Sequence, residues 1–166
     1  FKFLSKNFYI SFSIVALIYF LDRLTKIFVI QLDKNSFGSD IFSSTYLNII
    51  LIWNKGIAFG LLSFNEAYLY NILSLIISII VIILVIMSLK SEGFKRYSLL
   101  MIVGGALGNL HDRIFFNAVP DFIDFHVGNF HWFIFNVSDI FITLGVICMI
   151  VLELIDKDKY DNDKKI

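Results

Sequence analysis

The chain is laid out as long apolar runs separated by short polar intervals. The clearest run is 69–89, LYNILSLIISIIVIILVIMSL, which holds no charged side chain over 21 positions. Built as a helix rising 1.5 Å per residue, it covers about 30 Å, the thickness of a bilayer's hydrocarbon core. Runs at about 8–30, 97–115 and 135–154 have similar length, with polar residues near the far end of the first and at the ends of the other two. The pattern predicts an all-α polytopic membrane protein with four transmembrane helices. Lys2 and Lys6 ahead of the first run suggest a secretory signal peptide, but Asp22, Arg23 and Lys26 stand where a cleavage site needs small residues, so the segment reads as a retained anchor.

The intervals carry their own signals. Within 31–67, the stretch 46–53 (YLNIILIW) is rich in aromatic and β-branched residues, Asn54-Lys55-Gly56 is a turn signal, and IAFGLL follows, which predicts a small β-hairpin in an outer β region of about 41–62. A hairpin alone is marginal in water, so this one is expected to lean on the bundle or the membrane surface. Gly104 and Gly108 leave one face of the third helix without bulk, a surface for close packing on a neighbouring helix. Pro120 forbids helical continuation and makes Val119 extended. No repeat or linker divides the chain, which reads as one domain over 1–166.

Composition fixes the solvent. Of 166 residues, 58% are hydrophobic and 17% charged, with a mean hydropathy of +0.79, more apolar side chain than a soluble domain of this size can bury. The 14 basic and 14 acidic residues cancel, so no global field points to nucleic acid. Their placement is informative. Lys2, Lys6, Lys90, Lys95, Arg96, Lys157, Lys159, Lys164 and Lys165 fall on one side of the predicted bundle, against Lys34 and Lys55 on the other. The bias puts both termini in the cytoplasm, with 31–67 and the 116–134 loop outside. Cys148, the single cysteine, lies in an apolar run and reads as a small hydrophobe.

With that orientation, Asp22, Arg23 and Lys26 on the first helix, Asn109, Asp112 and Arg113 on the third, and Asn136 and Asp139 on the fourth collect at one membrane face. Ionisable groups at such depth cost several kcal/mol unless paired or wet, which makes them candidate site residues. Asp22 with Lys26 and Asn109 with Arg113 share helix faces at i, i+4, as Asn136 and Asp139 do at i, i+3. Arg23 makes the weakest case, since a long cation at a helix end can snorkel to the headgroups. Asp124, alternating with apolar residues in FIDFHV, reads as a solvated loop residue. Trp53 and Trp132 suit an interfacial aromatic belt. His111, His126 and His131 lack HExxH or similar spacing, so no metal and no cofactor is expected.

GGALGNLHDR at 104–113, VPDFIDF at 119–125, FNVSD at 135–139, DRLTK at 22–26 and NKGIAFG at 54–60 together resemble the lipoprotein signal peptidase (signal peptidase II) family, in the family's order and across nearly the whole chain. The resemblance implies an inner-membrane aspartyl endopeptidase that removes the signal peptide of bacterial prolipoproteins, cutting before a cysteine that carries a diacylglyceryl group. It places the catalytic aspartates on Asp121 and Asp139. Supporting or substrate-binding residues fall on Asp22, Lys26, Asn54, Gly56, Asn109, Arg113 and Asn136. It also implies an outer (periplasmic or extracellular) β-cradle and a short outer helix over the site. Membrane lipid is the expected surround, no nucleic-acid partner is expected, and the chain is expected to act as a monomer. Ser138, Ile57 and Pro120 depart from the family's usual residues. Physically, two close carboxyls sharing one proton can both take a proton from water and give one to a peptide, without a metal. Spacing alone leaves Asp112 and Asp124 in contention for the pair. A small polytopic transporter or binding protein using intramembrane charges is the rival reading; it expects polar groups spread through the depth of several helices rather than gathered at one end.

Overall fold

The structure is a computed structural model that describes residues 6–36, 40–56 and 67–163. Most of them lie in four helices: α1 (Lys6–Ser36), α2 (Ala67–Lys90), α3 (Gly93–Phe116) and α4 (Val137–Asp163). Among the described residues three segments are long and apolar enough to cross a membrane: Tyr68–Lys90, Gly93–Phe116 and Val137–Asp156. α1 has the length, 31 residues, and carries Asp22, Arg23 and Lys26 within it. α2 exposes Leu75, Ile79, Ile82 and Ile83, as a helix does when apolar all round in an apolar solvent.

α3 is the centre of the bundle and packs against each of the other helices. Of its apolar segment 44% is buried, against 11% for α2 and for α4. Glycines make this possible, though on two faces rather than the one expected. A Cβ at Gly104 would strike Ile18 of α1, one at Gly105 the backbone oxygen of Ser138 in α4, and one at Gly108 both Ser138 and Asp22. α3 ends where Asn117 takes the left-handed conformation (φ 54°), and Val119 is extended, as Pro120 requires.

The rest is one antiparallel sheet of β1 (Phe42–Ser43), β2 (Leu47–Asn54), β3 (Val119–Val127) and β4 (Phe130–Phe135), in that order. This corrects one expectation, and another falls partly outside the described residues. The turn at Asn54 to Gly56 does not fold β2 onto a described neighbour; 57–62, the expected second arm, lies outside the described residues, as does Ile57. β2 pairs on one side with β1, Phe42 opposite Ile49, and on the other with β3, from Leu47 opposite Phe125 to Asn54 opposite Val119. The 116–134 loop is in fact β3 and β4, joined by Gly128-Asn129. Gly128 has φ +59°, the first central position of a type II′ hairpin turn. A lone two-stranded hairpin is marginal, and β3 gives β2 a largely buried partner. The short outer helix implied by the family is not among the elements of the described residues. The irregularities between Ile49 and Ile52 and between Ile134 and His131 each set two residues of the neighbouring strand against one of β3.

Candidate active site

The site begins with the sequence Asn136-Val137-Ser138-Asp139. Asn136 immediately precedes α4, and its Oδ1 accepts from the backbone N–H of Asp139 (3.1 Å) while Asp139 Oδ2 accepts from the backbone N–H of Asn136 (3.2 Å). This is a capping box in Asn/Asp form, and it fixes the Asp139 carboxylate at the helix start. Asn136 still has its amide free to act, and Nδ2 donates to Asp121 Oδ1 at 2.6 Å. One buried asparagine therefore ties the α4 carboxylate to the β3 carboxylate.

Each acid has a second amide. Asp121 Oδ2 accepts from Asn54 Nδ2 at 2.8 Å, and Asn54 Oδ1 accepts from the Gly56 N–H at 2.7 Å, an Asx-type turn that holds the end of β2 over the site. Arg113 Nη2 donates to the Gly56 carbonyl at 2.6 Å, fastening that turn to α3. Asp139 Oδ1 accepts from Asn109 Nδ2 at 2.8 Å. Burial, reinforced by repulsion from Asp139, pushes the Asp121 carboxyl up to about 6, against the opposing pull of the Asn54 and Asn136 hydrogen bonds.

Behind Asn109 lies a buried charge cluster. Lys26 Nζ has three donors and uses them on Asn109 Oδ1 (2.9 Å), Asp112 Oδ2 (2.7 Å) and Asp22 Oδ2 (2.9 Å). Arg23 grips Asp112 with both Nη atoms at 2.6 and 2.7 Å and also donates to Asp22 at 3.0 Å. Asp22 Oδ1 accepts the Ser138 N–H at 3.0 Å, which links α1 to the start of α4. Two acids and two bases balance in a place where Asp22 and Asp112 are 0% and Lys26 1% exposed.

Asp121, Asp139, Asp22, Lys26, Asn54, Gly56, Asn109, Arg113 and Asn136 thus fall in one network. Two readings from sequence are corrected. Arg23 does not snorkel; it is the forked partner of Asp112, a contact 89 residues away that no periodicity reveals. Asp124 is no solvated loop residue: it is 1% exposed in β3, where Asn48 and His131 donate to it, because the alternation of FIDFHV is that of a strand and turns Asp124 inward. Ser138, whose hydroxyl is buried against Gly108, was visible only as a departure from the family pattern.

A pocket of about 290 Å³ opens beside Asp139, lined by Trp132, Phe133, Phe135, Ile140, Thr143 and Leu144. It offers apolar walls and one carboxylate. Two adjacent carboxyls, one with raised proton affinity and both oriented by amides, can exchange protons with a water held between them.

The family model described as "Signal peptidase (SPase) II" matches residues 14–155. A lipoprotein signal peptidase of Pelagibacter ubique is 46% identical over 159 residues, 96% of each chain. That of Anaplasma phagocytophilum is 43% identical over 137 residues, covering 81% of this chain and 85% of its own. Among solved structures, a bacterial membrane enzyme determined at 2.3 Å superposes with a TM-score of 0.70 at 28% identity over 90% of both chains. Another, at 1.9 Å, gives 0.69 at 30% identity over 87% of this chain and 92% of that one.

Proposed function

The chain belongs to the signal peptidase II family, and on that premise we propose that it is an aspartic endopeptidase that removes the signal peptide from diacylglyceryl-modified bacterial prolipoproteins, cutting before the lipidated cysteine. The observation that carries the aspartic mechanism is Asn136, which holds Asp121 through its amide and Asp139 through its backbone and side-chain oxygen.

In this mechanism one carboxylate takes a proton from the attacking water while the other, protonated, gives its proton to the scissile carbonyl oxygen. The tetrahedral diol then collapses as the leaving amine of the cysteine receives a proton from the pair. The two acids titrate as a unit, and Asp121, raised to about 6, keeps a proton further towards neutrality than an ordinary aspartate. Asn54 and Asn136 orient Asp121, Asn109 orients Asp139, and the Asp22–Lys26 cluster holds Asn109. Arg113 fixes the Gly56 turn against which the substrate backbone lies. The pocket beside Asp139 takes an apolar signal-peptide side chain, while the acyl chains remain in lipid.

The same reading makes 1–166 a single membrane-embedded domain with α1 as a fourth span. Both termini are cytoplasmic and the sheet covers the site on the outer face, a reading supported by the bias of basic residues along the chain. It acts as a monomer. The test is reconstitution of the purified protein with a diacylglyceryl prolipoprotein. Release of the intact signal peptide, and its loss when the substrate lacks the lipid, is the expected result; an uncleaved lipidated substrate overturns the proposal.

A further inference from the structure

Outside this network, β3 and β4 bring together three metal-binding side chains that the cleavage mechanism does not use. With a period of two, Asp124 and His126 point to the same face of β3, and Asp121 to the other. His131 stands directly opposite His126 across the hairpin, and their rings lie nearly parallel with centroids 5.0 Å apart. His131 Nδ1 approaches Asp124 Oδ2 at 2.8 Å. One ligand atom from each of the three lies within 4.8 Å of the others.

Hydrogen bonding leaves this cluster incomplete. His126 is only 9% exposed, and its Nδ1 is enclosed with no partner among the described residues. A buried ring nitrogen without a partner loses its water and gains nothing in exchange. A metal ion is the kind of ligand that satisfies an imidazole and a neighbouring carboxylate together.

We propose that Asp124, His126 and His131 form a binding site for a divalent transition-metal ion, with zinc as the ion whose ligand preference the set matches. Two imidazoles and one carboxylate exclude a hard-cation cage, since calcium and magnesium take oxygen ligands. Three protein ligands leave a fourth tetrahedral position for water. Bonds of roughly 2.0–2.1 Å set the three donors about 3.4 Å apart, whereas His131 Nδ1 now lies 2.8 Å from Asp124 Oδ2 and the set as a whole spans no more than 4.8 Å. His131, whose side chain is 55% exposed, can make that adjustment while Asp124 stays fixed. Asn48 Nδ2, 3.2 Å from Asp124 Oδ2, helps to orient the carboxylate. The ion clasps β4 to β3 at the free end of the hairpin and thereby stiffens the strand that carries Asp121. It takes no part in the proton transfers of Asp121 and Asp139.

The experiment uses the full chain purified in detergent with a tag free of histidine, stripped with chelator, exposed to Zn²⁺ and desalted before metal analysis. Co²⁺ serves as a spectroscopic probe of tetrahedral coordination. Wild type should retain about one zinc per chain and give the intense visible bands of tetrahedral Co²⁺. His131→Ala and Asp124→Asn should each weaken zinc binding by roughly tenfold or more. His111→Ala, which alters a histidine elsewhere, should bind as wild type does. Because His131 is exposed, its variant tests the site without threatening the fold, and matching circular dichroism verifies this. Wild type that retains no zinc, or the same zinc content in wild type and His131→Ala, overturns the proposal. These outcomes are read from metal content alone, so they are independent of whether the protein cleaves prolipoproteins.

Discussion

Replacing Lys26 with methionine probes how the site is held. The substitution keeps the length of the stem and removes the ammonium. In the native cluster Asp22 and Asp112 are neutralised by Arg23 and Lys26; without Lys26 one net negative charge stays buried where the acids are fully enclosed. Removing one partner of a buried ion pair costs about 3–5 kcal/mol. The lower end applies here, because Arg23 keeps its fork on Asp112 and Asp22 keeps the Ser138 N–H. Asn109 also loses the donor that fixes its oxygen, so its amide holds Asp139 less firmly, and activity should fall by roughly 10–100-fold as misplacement of a catalytic group does. Unfolding in mixed micelles, followed by the fluorescence of Trp53 and Trp132, measures the first effect. A double-mutant cycle with Asp112→Asn should return a coupling of roughly 1–3 kcal/mol. A Lys26→Met protein within about 0.5 kcal/mol of wild type would refute the claim that this cluster supports the site.

Three other outcomes follow from the same contacts. The native value of Asp121, about 6, lies above its ordinary 3.8, so between these the folded chain holds a proton that the unfolded chain has lost; the contribution of this one group to stability is fully present below about pH 4, is lost by on the order of 3 kcal/mol as pH rises to about 6, then levels, and Asp121→Asn should remove that component of the pH dependence. Cleavage, needing one protonated acid, should decline as pH rises above the same midpoint, which a kcat/KM profile would locate. Gly105→Ala places a Cβ 2.5 Å from the Ser138 backbone oxygen and 2.9 Å from Ile142; it should destabilise by about 1–3 kcal/mol in the same micelle assay, by forcing α3 away from α4.

The helices were legible because an apolar run long enough to span a bilayer has few other fates, and the bounds shifted only at the ends, where α4 continues to Asp163 and α1 to Ser36. Asn136 and Asp139 were legible as a pair at i, i+3, since capping is local chemistry. β3 and β4 were missed although FIDFHVGNFHWFIF carries strand alternation on both sides of a Gly-Asn turn; a short interval between two predicted spans was read as a loop, and that hid the strand period. Arg23 and Asp124 were undervalued for another reason. Their partners, Asp112, Asn48 and His131, sit on other elements, and only tertiary contact distinguishes a paired buried charge from a snorkelling or solvated one. The choice of Asp121 over Asp112 rests on family resemblance; the geometry adds that Asp112 is occupied by two cations while Asp121 takes hydrogen bonds from the amides of Asn54 and Asn136.

The central claim is that Asp121 and Asp139 act together on one water. Single-turnover cleavage of a diacylglyceryl prolipoprotein by Asp121→Asn and by Asp139→Asn tests it most directly, with thermal unfolding of each variant as the control for folding. Each substitution keeps the shape and removes the acid. Because the acids act as a unit, each variant alone should lose roughly 10³-fold or more in rate and the double variant little further. Wild-type cleavage by either single variant would contradict the account.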